Sequence, residues 1–143
     1  MAKTGPILII ENDADDREMM QDIFRELQVR NKRYFFKSSQ EVIDFLTGTT
    51  DDPFLVISDI TLPGMSGIEL RQYINEHPEL RKKSIPFIFL TTSTAKESVD
   101  KAYEMMVQGY FEKPNNVNEL REMLKMILDY WNVCFHPNSY FLD

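Results

Sequence analysis

The sequence predicts an α/β protein in which five parallel β-strands form a doubly wound sheet with helices on both faces. Short apolar runs alternate along the chain with amphipathic stretches, which is the pattern of repeated strand–helix units. The amphipathic stretches place apolar residues at three- and four-residue spacing, as Leu120, Leu124 and Ile127 do in the last of them. A helix-start signal follows each apolar run. These three observations together predict the order (βα)5.

The five strand candidates are short runs rich in apolar residues. The first, third and fourth runs are almost continuously apolar, which is typical of parallel strands that are covered on both faces. Right-handed crossovers between such strands bring every carboxyl end to the same edge of the sheet. The predicted strands cover residues 7–10, 33–37, 54–58, 86–91 and 109–112.

Helix starts are marked by a capping residue three positions before an acidic residue. Ser38, Ser66 and Thr94 each stand at this spacing before a glutamate, after the second, third and fourth strand candidates. Asp13 and Asn116 give a looser form of the same signal after the first and fifth candidates. Each predicted strand is therefore followed by a predicted helix.

Length and composition indicate one globular domain and exclude several classes of partner. The chain has 143 residues, of which 43% are apolar, and its formal net charge is -7. An acidic balance disfavours binding to nucleic acid and to anionic membranes. No apolar stretch approaches the roughly 20 residues that a membrane helix requires. Cys134 is the one cysteine and cannot form an intrachain disulfide, so we expect a cytoplasmic protein.

Polar side chains collect at the edge of the sheet where the carboxyl ends of the strands meet. Carboxylates that crowd together raise one another's pKa unless a cation neutralises them. The oxygen ligands available here suit Mg²⁺ rather than zinc, because neither His nor Cys is among them. A metal, an ammonium and a hydroxyl around one nucleophilic carboxylate match the binding of a tetrahedral oxyanion. The residues of this set are Glu11, Asn12, Asp13, Asp59, Thr91, Thr92 and Lys113.

Separated motifs lie in this set and around it: Glu11-Asn12 after the first strand, Asp59 followed by Pro63 and Gly67, Leu-Thr-Thr-Ser at 90–93, and Lys113-Pro114. Their order is typical of the receiver domains of two-component response regulators. The chain resembles that family from about Pro6 to Leu128. The resemblance implies a flavodoxin-like sheet with strand order 2-1-3-4-5.

The resemblance implies that Asp59 is the phosphoacceptor and attacks a phosphohistidine of a partner histidine kinase. Lys113 and Thr91 would stabilise the transferring phosphoryl group, and the domain would catalyse only its own modification. A weaker metal site is expected than in most relatives, because the second acidic position is an uncharged amide; Asp13 could enter the coordination sphere instead, although capping a helix is its better explanation. The implied Mg²⁺ ligands are Glu11, Asn12, Asp59 and the backbone carbonyl of Thr61.

The resemblance also implies a conformational switch. Phosphoryl oxygens would draw Thr91 inward and leave room for Tyr110 to turn towards the core. The surface that reports this change would be the fourth helix, fifth strand and fifth helix, about residues 95–128. The implied Lys113-Pro114 peptide bond is cis. The residues that would flank the phosphoryl group are Thr61, Thr92 and Ser93.

Three other functions fit parts of the pattern. An enzyme of the haloacid-dehalogenase type is disfavoured, because it typically needs a second acid two residues after the nucleophile, where this chain has Thr61. A flavodoxin-like binding protein is also disfavoured. It needs a Ser/Thr/Gly-rich phosphate loop after the first strand, whereas residues 11–16 of this chain are mostly acidic and would repel a phosphate. A degenerate receiver that acts as a phosphorylation-independent scaffold stays open because of Asn12.

An aromatic tail over residues 130–143 follows the expected receiver domain, residues 1–129, and leaves no space for an output domain. We expect this tail to pack on its own domain; the alternative is an exposed patch that forms a homodimer or docks a kinase. Small regulators that work with phytochrome-type or hybrid sensor kinases have a similar Trp-containing ending. His77 and His136 each precede a proline and are expected at the surface. The apolar stretches of the tail are residues 130–135 and Tyr140-Phe141-Leu142.

Overall fold

The computed structural model describes residues 2–138 and contains one sheet of five parallel strands. The strand order is β2-β1-β3-β4-β5, as expected. Each strand lies within one residue of its predicted bounds, which confirms the predicted fold. The strands are β1 Ile7–Ile10, β2 Arg33–Phe36, β3 Leu55–Ser58, β4 Phe87–Thr91 and β5 Gly109–Glu112.

Five main helices connect and cover the strands. A sixth helix of one turn, Pro78–Arg81, and a 3-10 turn, Ala2–Thr4, were not predicted. Proline suits the first position of the one-turn helix because no hydrogen bond is lost there. No helix within residues 2–138 is long and apolar enough to cross a membrane. The main helices are α1 Ala14–Glu26, α2 Ser39–Gly48, α3 Gly67–Glu76, α4 Lys96–Glu104 and α5 Val117–Val133.

Four of the five predicted helix caps are present. Ser66 and Glu69 form a complete capping box at the start of α3, whereas the other three caps each accept backbone N–H bonds through one side chain. The fifth prediction is wrong, because α4 begins one residue later and its cap is Ala95, without a side-chain hydrogen bond. This shift moves Thr94 out of the capping position. The other confirmed caps are Asp13, Ser38 and Asn116.

Two apolar layers hold the sheet between the helices. Successive residues of β1 point to opposite faces, so that Ile7 and Ile9 pack towards α1 and α5 while Leu8 and Ile10 pack towards α2 and α3. All four are at most 1% exposed. Burial of one such side chain contributes about 1.5–3 kcal/mol. Because helices cover both faces of the sheet, apolar residues on both faces of a central strand gain this contribution. Polar residues are left for the strand ends.

The loop between α4 and β5 is hydrogen-bonded to α3. The Arg71 guanidinium donates to the carbonyls of Met105 at 3.1 Å and Met106 at 3.0 Å, and Asn75 donates to Met105 at 2.9 Å. Burial lowers the pKa of Arg71, and its guanidinium lies 5.3 Å from the centre of the Phe87 ring. The helix that follows the Asp59 loop is therefore tied to the segment that leads into β5.

The expectation of a cis peptide bond before Pro114 is wrong. Residues 2–138 contain no cis peptide bond, so the bond between Lys113 and Pro114 is trans. The trans form is also the intrinsic preference of an X–Pro bond, by about 0.5–1 kcal/mol.

The first part of the tail packs on the domain. His136 is buried, with Nε2 2.7 Å from the Phe54 carbonyl oxygen, and its ring lies 5.6 Å from that of Phe54. The prediction of a surface position for His136 is therefore wrong, because the buried carbonyl just before β3 needs a hydrogen-bond donor. His77 is exposed, as predicted. Tyr140-Phe141-Leu142 lies outside the described residues.

The rest of the tail presents apolar side chains to solvent. Val133 and Phe135 are 86% and 88% exposed, and Tyr130 is 63% exposed. Trp131, in contrast, is half-buried, with its ring 6.3 Å from that of His136. Within residues 130–138, Trp131 and His136 therefore pack on the domain, whereas Tyr130, Val133 and Phe135 face solvent.

His136 should make the stability of the protein depend on pH. Its Nδ1 accepts from the Asn138 N–H at 3.1 Å while Nε2 donates to Phe54, which requires the neutral ring. Burial lowers the pKa of His136 and nearby Lys3 lowers it further, against the opposing effects of the Phe54 carbonyl and Asp52. The unfolded chain therefore takes up a proton at higher pH than the folded one. The free energy of unfolding should fall as the pH drops below about 6.5 towards the lower folded pKa.

Urea unfolding between neutral and acidic pH measures this effect. His136→Gln removes the titrating ring and should show a smaller loss of stability over the same pH range than the wild type. His77→Gln, which removes the exposed histidine, is the matched control. Equal pH slopes for the wild type and His136→Gln would contradict the prediction.

Candidate functional site

Asp59 lies directly after β3, and its two carboxylate oxygens have different partners. Oδ1 accepts the backbone N–H of Ile60 at 2.7 Å and that of Thr61 at 3.4 Å. Oδ2 accepts the Lys113 ammonium at 3.0 Å. The side chain is 11% exposed, and its partners on both oxygens fix its orientation.

Lys113, which follows β5, joins three elements at this edge. Its Nζ lies 2.5 Å from Glu11 Oε1, 3.0 Å from Asp16 Oδ2 and 3.0 Å from Asp59 Oδ2. Burial alone would lower the pKa of Lys113, but the hydrogen bonds to the three carboxylates outweigh it and raise the pKa above its ordinary value. The Lys113 side chain is therefore protonated and positively charged at neutral pH.

Glu11 is the most deeply buried acid of the site, at 4% exposure. Burial raises its pKa, while the hydrogen bonds from Lys113 and from the Asp13 N–H, at 3.1 Å, oppose that rise. Three carboxylates and one ammonium give the cluster a formal charge of -2. This charge favours a divalent cation beside the carboxylates.

The loop that carries Asp59 is held against the start of α3 by a close approach at Gly67. A Cβ at this position would lie 2.2 Å from the Asp59 carbonyl oxygen and 2.9 Å from a ring carbon of Phe89. The Gly67 N–H donates to the Ile60 carbonyl at 2.8 Å. Gly64, with φ +71°, supplies the left-handed turn between the two segments. The spacing of these glycines after Asp59 thus has a steric cause.

The two residues of the expected switch both contact Ser93. Thr91 is fully buried at the end of β4, and its Oγ1 accepts the Ser93 N–H at 3.2 Å. The half-buried Tyr110 of β5 donates its hydroxyl to the Ser93 carbonyl, and its ring packs edge-on against Phe89 at 6.0 Å. Burial raises the pKa of Tyr110. A movement of Thr91 would therefore act on Tyr110 through one residue.

The remaining predicted residues lie around this centre. Asn12 and Thr61 are exposed, and Arg17 fixes the backbone beside the first of them by donating to the carbonyls of Glu11 at 2.8 Å and Asn12 at 2.9 Å. Thr92 is exposed at the end of β4. The carboxylate of Asp13 accepts two backbone N–H bonds at the start of α1, which confirms its prediction as a cap.

The donors at this edge fit a hard divalent ion. Residues 2–138 hold no ready group of three His, Cys, Asp or Glu side chains arranged for a metal. The predicted ligands are instead a mixture of carboxylate, amide and backbone carbonyl oxygens, which suits an ion that retains several waters. Binding would have to compete with Lys113, because Glu11 Oε1 and Asp59 Oδ2 both contact its ammonium.

A family model for the response regulator receiver domain matches residues 7–125 of this chain. The chain belongs to the response regulator receiver family. Its sequence is similar to the response regulator Rcp1 of Synechocystis, at 26% identity over 130 residues that cover 87% of each chain. It is 30% identical over 131 residues to the chemotaxis protein CheY-3 of Vibrio cholerae, covering 89% of this chain and 94% of that protein.

Solved receiver structures share the fold. The Mn²⁺-bound form of Rcp1 has a TM-score of 0.80 at 25% identity and covers 92% of this chain and 98% of its own. The bacteriophytochrome response regulator AtBRR has a TM-score of 0.68 at 27% identity and covers 84% of this chain and 89% of its own. The recognition of the receiver family from separated motifs is thereby confirmed.

Asp16 is the receiver-site residue that sequence reasoning missed. It lies in the first turn of α1, and its spacing three residues after Asp13 indicates only a helix start. Its position in the sequence could have indicated the site, because the first turn of α1 follows β1 at the same edge of the sheet as Glu11. Its contact with Lys113, 97 residues away in the chain, depends on packing between α1 and β5 that no local pattern contains.

Gly67→Ala should destabilise the receiver domain, because the added methyl group overlaps the Asp59 carbonyl. We expect a loss of about 1–3 kcal/mol in the free energy of unfolding, as for other overpacked sites. Gly48→Ala is the matched control, since its Cβ would meet nothing within 4 Å. Urea unfolding of both variants measures the difference. Equal stability of the two variants would show that the α3 start can move away from Asp59 without cost.

Proposed function

We propose that this protein is a single-domain response regulator that accepts a phosphoryl group from a histidine kinase onto Asp59. The observation that carries the proposal is the arrangement of Asp59, with Oδ1 held by backbone N–H groups and Oδ2 beside Lys113 at 3.0 Å. A carboxylate fixed in this way is a pre-oriented nucleophile next to a fixed positive charge. The similarity to CheY-3 over 94% of that protein's length supports this role for the receiver domain.

In this reaction a carboxylate oxygen of Asp59 forms a bond to phosphorus while the bond from phosphorus to the kinase histidine nitrogen breaks. Lys113 stabilises charge on the transferring phosphoryl oxygens, and the buried Thr91, at the end of the next strand, supplies a hydroxyl donor. Mg²⁺, when bound by Glu11, Asn12, Asp59 and the Thr61 carbonyl, would neutralise charge on the same oxygens. The flanking side chains of Thr61, Thr92 and Ser93 would control the access of water to the product.

The contacts of Ser93 support a route from phosphorylation to the signalling surface. If the Thr91 hydroxyl moves towards a phosphoryl oxygen, Ser93 must follow for its N–H to keep the bond to Oγ1. A shift of the Ser93 backbone would break the bond from Tyr110 to its carbonyl. The half-buried ring could then turn towards the core and change the surface formed by α4, β5 and α5.

An apolar cavity beside Lys113 supports a docking position for the kinase. The cavity has a volume of about 200 Å³ and lies between α1 and the start of α5. Met19 and Val117 at this position are 38% and 40% exposed. A protein that contacts both would bring its phosphohistidine close to Asp16 and Lys113, which line the same cavity. The likeness to AtBRR, a bacteriophytochrome response regulator, favours a phytochrome-type kinase as the partner.

A small phosphodonor tests the acceptor directly. Intact-mass measurement after incubation with acetyl phosphate and Mg²⁺ should show one phosphoryl group on the wild type and none on Asp59→Asn. Addition of a chelator should abolish the modification, because the cluster is then left with its formal charge of -2. Asp52→Asn, at an exposed acid before β3, is the control and should be modified like the wild type. Failure of the wild type to form an Asp59-dependent adduct would favour the phosphorylation-independent scaffold.

Met19→Lys should separate kinase docking from chemistry. It places a charge in the apolar contact and should slow phosphotransfer from a phosphorylated phytochrome-type kinase about tenfold, equivalent to roughly 1.4 kcal/mol. Modification by acetyl phosphate should not change, because the ion pairs that hold Lys113 and the carboxylates do not involve Met19. Met126→Lys, at an exposed methionine of α5, is the matched control. Unchanged transfer to Met19→Lys would place the kinase elsewhere.

A further inference from the structure

Asp16 contacts the catalytic ammonium from outside the expected set of site residues. Its Oδ2 lies 3.0 Å from Lys113 Nζ, and its side chain is 39% exposed. The backbone N–H of Asp16 donates to the Asp13 carboxylate at 3.1 Å, so the cap of α1 fixes the backbone from which this side chain reaches Lys113. The contact therefore connects the first turn of α1 to the end of β5.

The three carboxylate partners of Lys113 differ in what a divalent ion would do to them. An ion held by Glu11 and Asp59 would compete with the ammonium for these two carboxylates, and it would repel the ammonium itself. Asp16 is not among the proposed ligands, and its carboxylate lies at the more exposed side of the cluster. It is thus the partner that can keep Lys113 in place after the ion binds.

The formal charges of the site also indicate a role for Asp16. Glu11, Asp59, Lys113 and a divalent ion together carry a formal charge of +1, because Asn12 contributes none. Asp16 brings this sum to zero, which is the value that an aspartate at position 12 would give without Asp16. The Asp13 carboxylate is directed to the N–H groups of Asp15 and Asp16, and the ion pairs of Lys113 do not include it.

We propose that Asp16 is a positioning residue that would retain Lys113 when Glu11 and Asp59 hold the metal ion, and that its charge replaces the one absent at Asn12. The inference rests on the proposed function, since it concerns the same metal and the same acceptor. It assigns Asp16 no contact with the phosphoryl group and no place among the metal ligands.

Calorimetric titration of the full chain with Mg²⁺ tests the inference. Asp16→Asn should weaken Mg²⁺ binding about tenfold, as the loss of an outer partner typically does. Adding Asn12→Asp to that variant should restore most of the affinity, whereas Asn12→Asp in the wild type should gain less. Asp15→Asn is the control, because it removes the same charge from the same helical turn at an exposed residue whose side chain does not contact Lys113.

The acetyl phosphate reaction at saturating Mg²⁺ provides the second measurement. Asp16→Asn should form the Asp59 adduct more slowly even when metal is saturating, and Asp16→Glu should recover part of the rate. Equal Mg²⁺ affinities of the Asp15→Asn and Asp16→Asn variants, with an active wild type, would overturn the role of Asp16 alone. A wild type that neither binds Mg²⁺ nor forms the adduct would overturn the proposed function together with this inference.

Discussion

Lys113 donates to carboxylates on three separate parts of the chain, and the geometry of the whole sheet edge depends on this contact. Without the ammonium, Glu11, Asp16 and Asp59 would repel one another; two like charges 4 Å apart cost about 4 kcal/mol at an effective dielectric constant of 20. With it, the end of β1, the first turn of α1 and the end of β3 are drawn towards the end of β5. The parallel sheet makes this convergence available, and the ammonium makes it stable.

The two ends of β3 carry different tasks. At its carboxyl end Asp59 faces Lys113, and at its amino end the Phe54 carbonyl binds His136 of the tail. The four residues of β3 between them span about 13 Å at 3.3 Å per residue. The tail is therefore anchored at the edge of the sheet opposite the acceptor. Exposed apolar residues of the tail can engage a partner without entering the space around Asp59.

The sequence was sufficient where the structure follows from local rules. Strand bounds follow from apolar runs that must be buried on both faces, and caps such as Ser66 follow from a hydrogen bond within four residues. Asp16 and His136 could not be predicted in the same way, because their partners lie 97 and 82 residues away in the chain. Thr94 shows the limit of a local signal, since a shift of one residue in the helix start removes its role.

The proposed dependence on metal follows from the charge of the cluster. With Lys113 and three carboxylates the site carries a formal charge of -2, so an anionic phosphodonor would meet repulsion at the oxygen it must approach. A divalent ion cancels this charge and leaves the nucleophile in a neutral environment. Since Asn12 contributes no charge, the balance is reached only when the carboxylate of α1 is counted with those of β1 and β3. In formal charge the three carboxylates therefore balance one divalent ion and one ammonium, and the loss of any one of them would leave the site with a net charge.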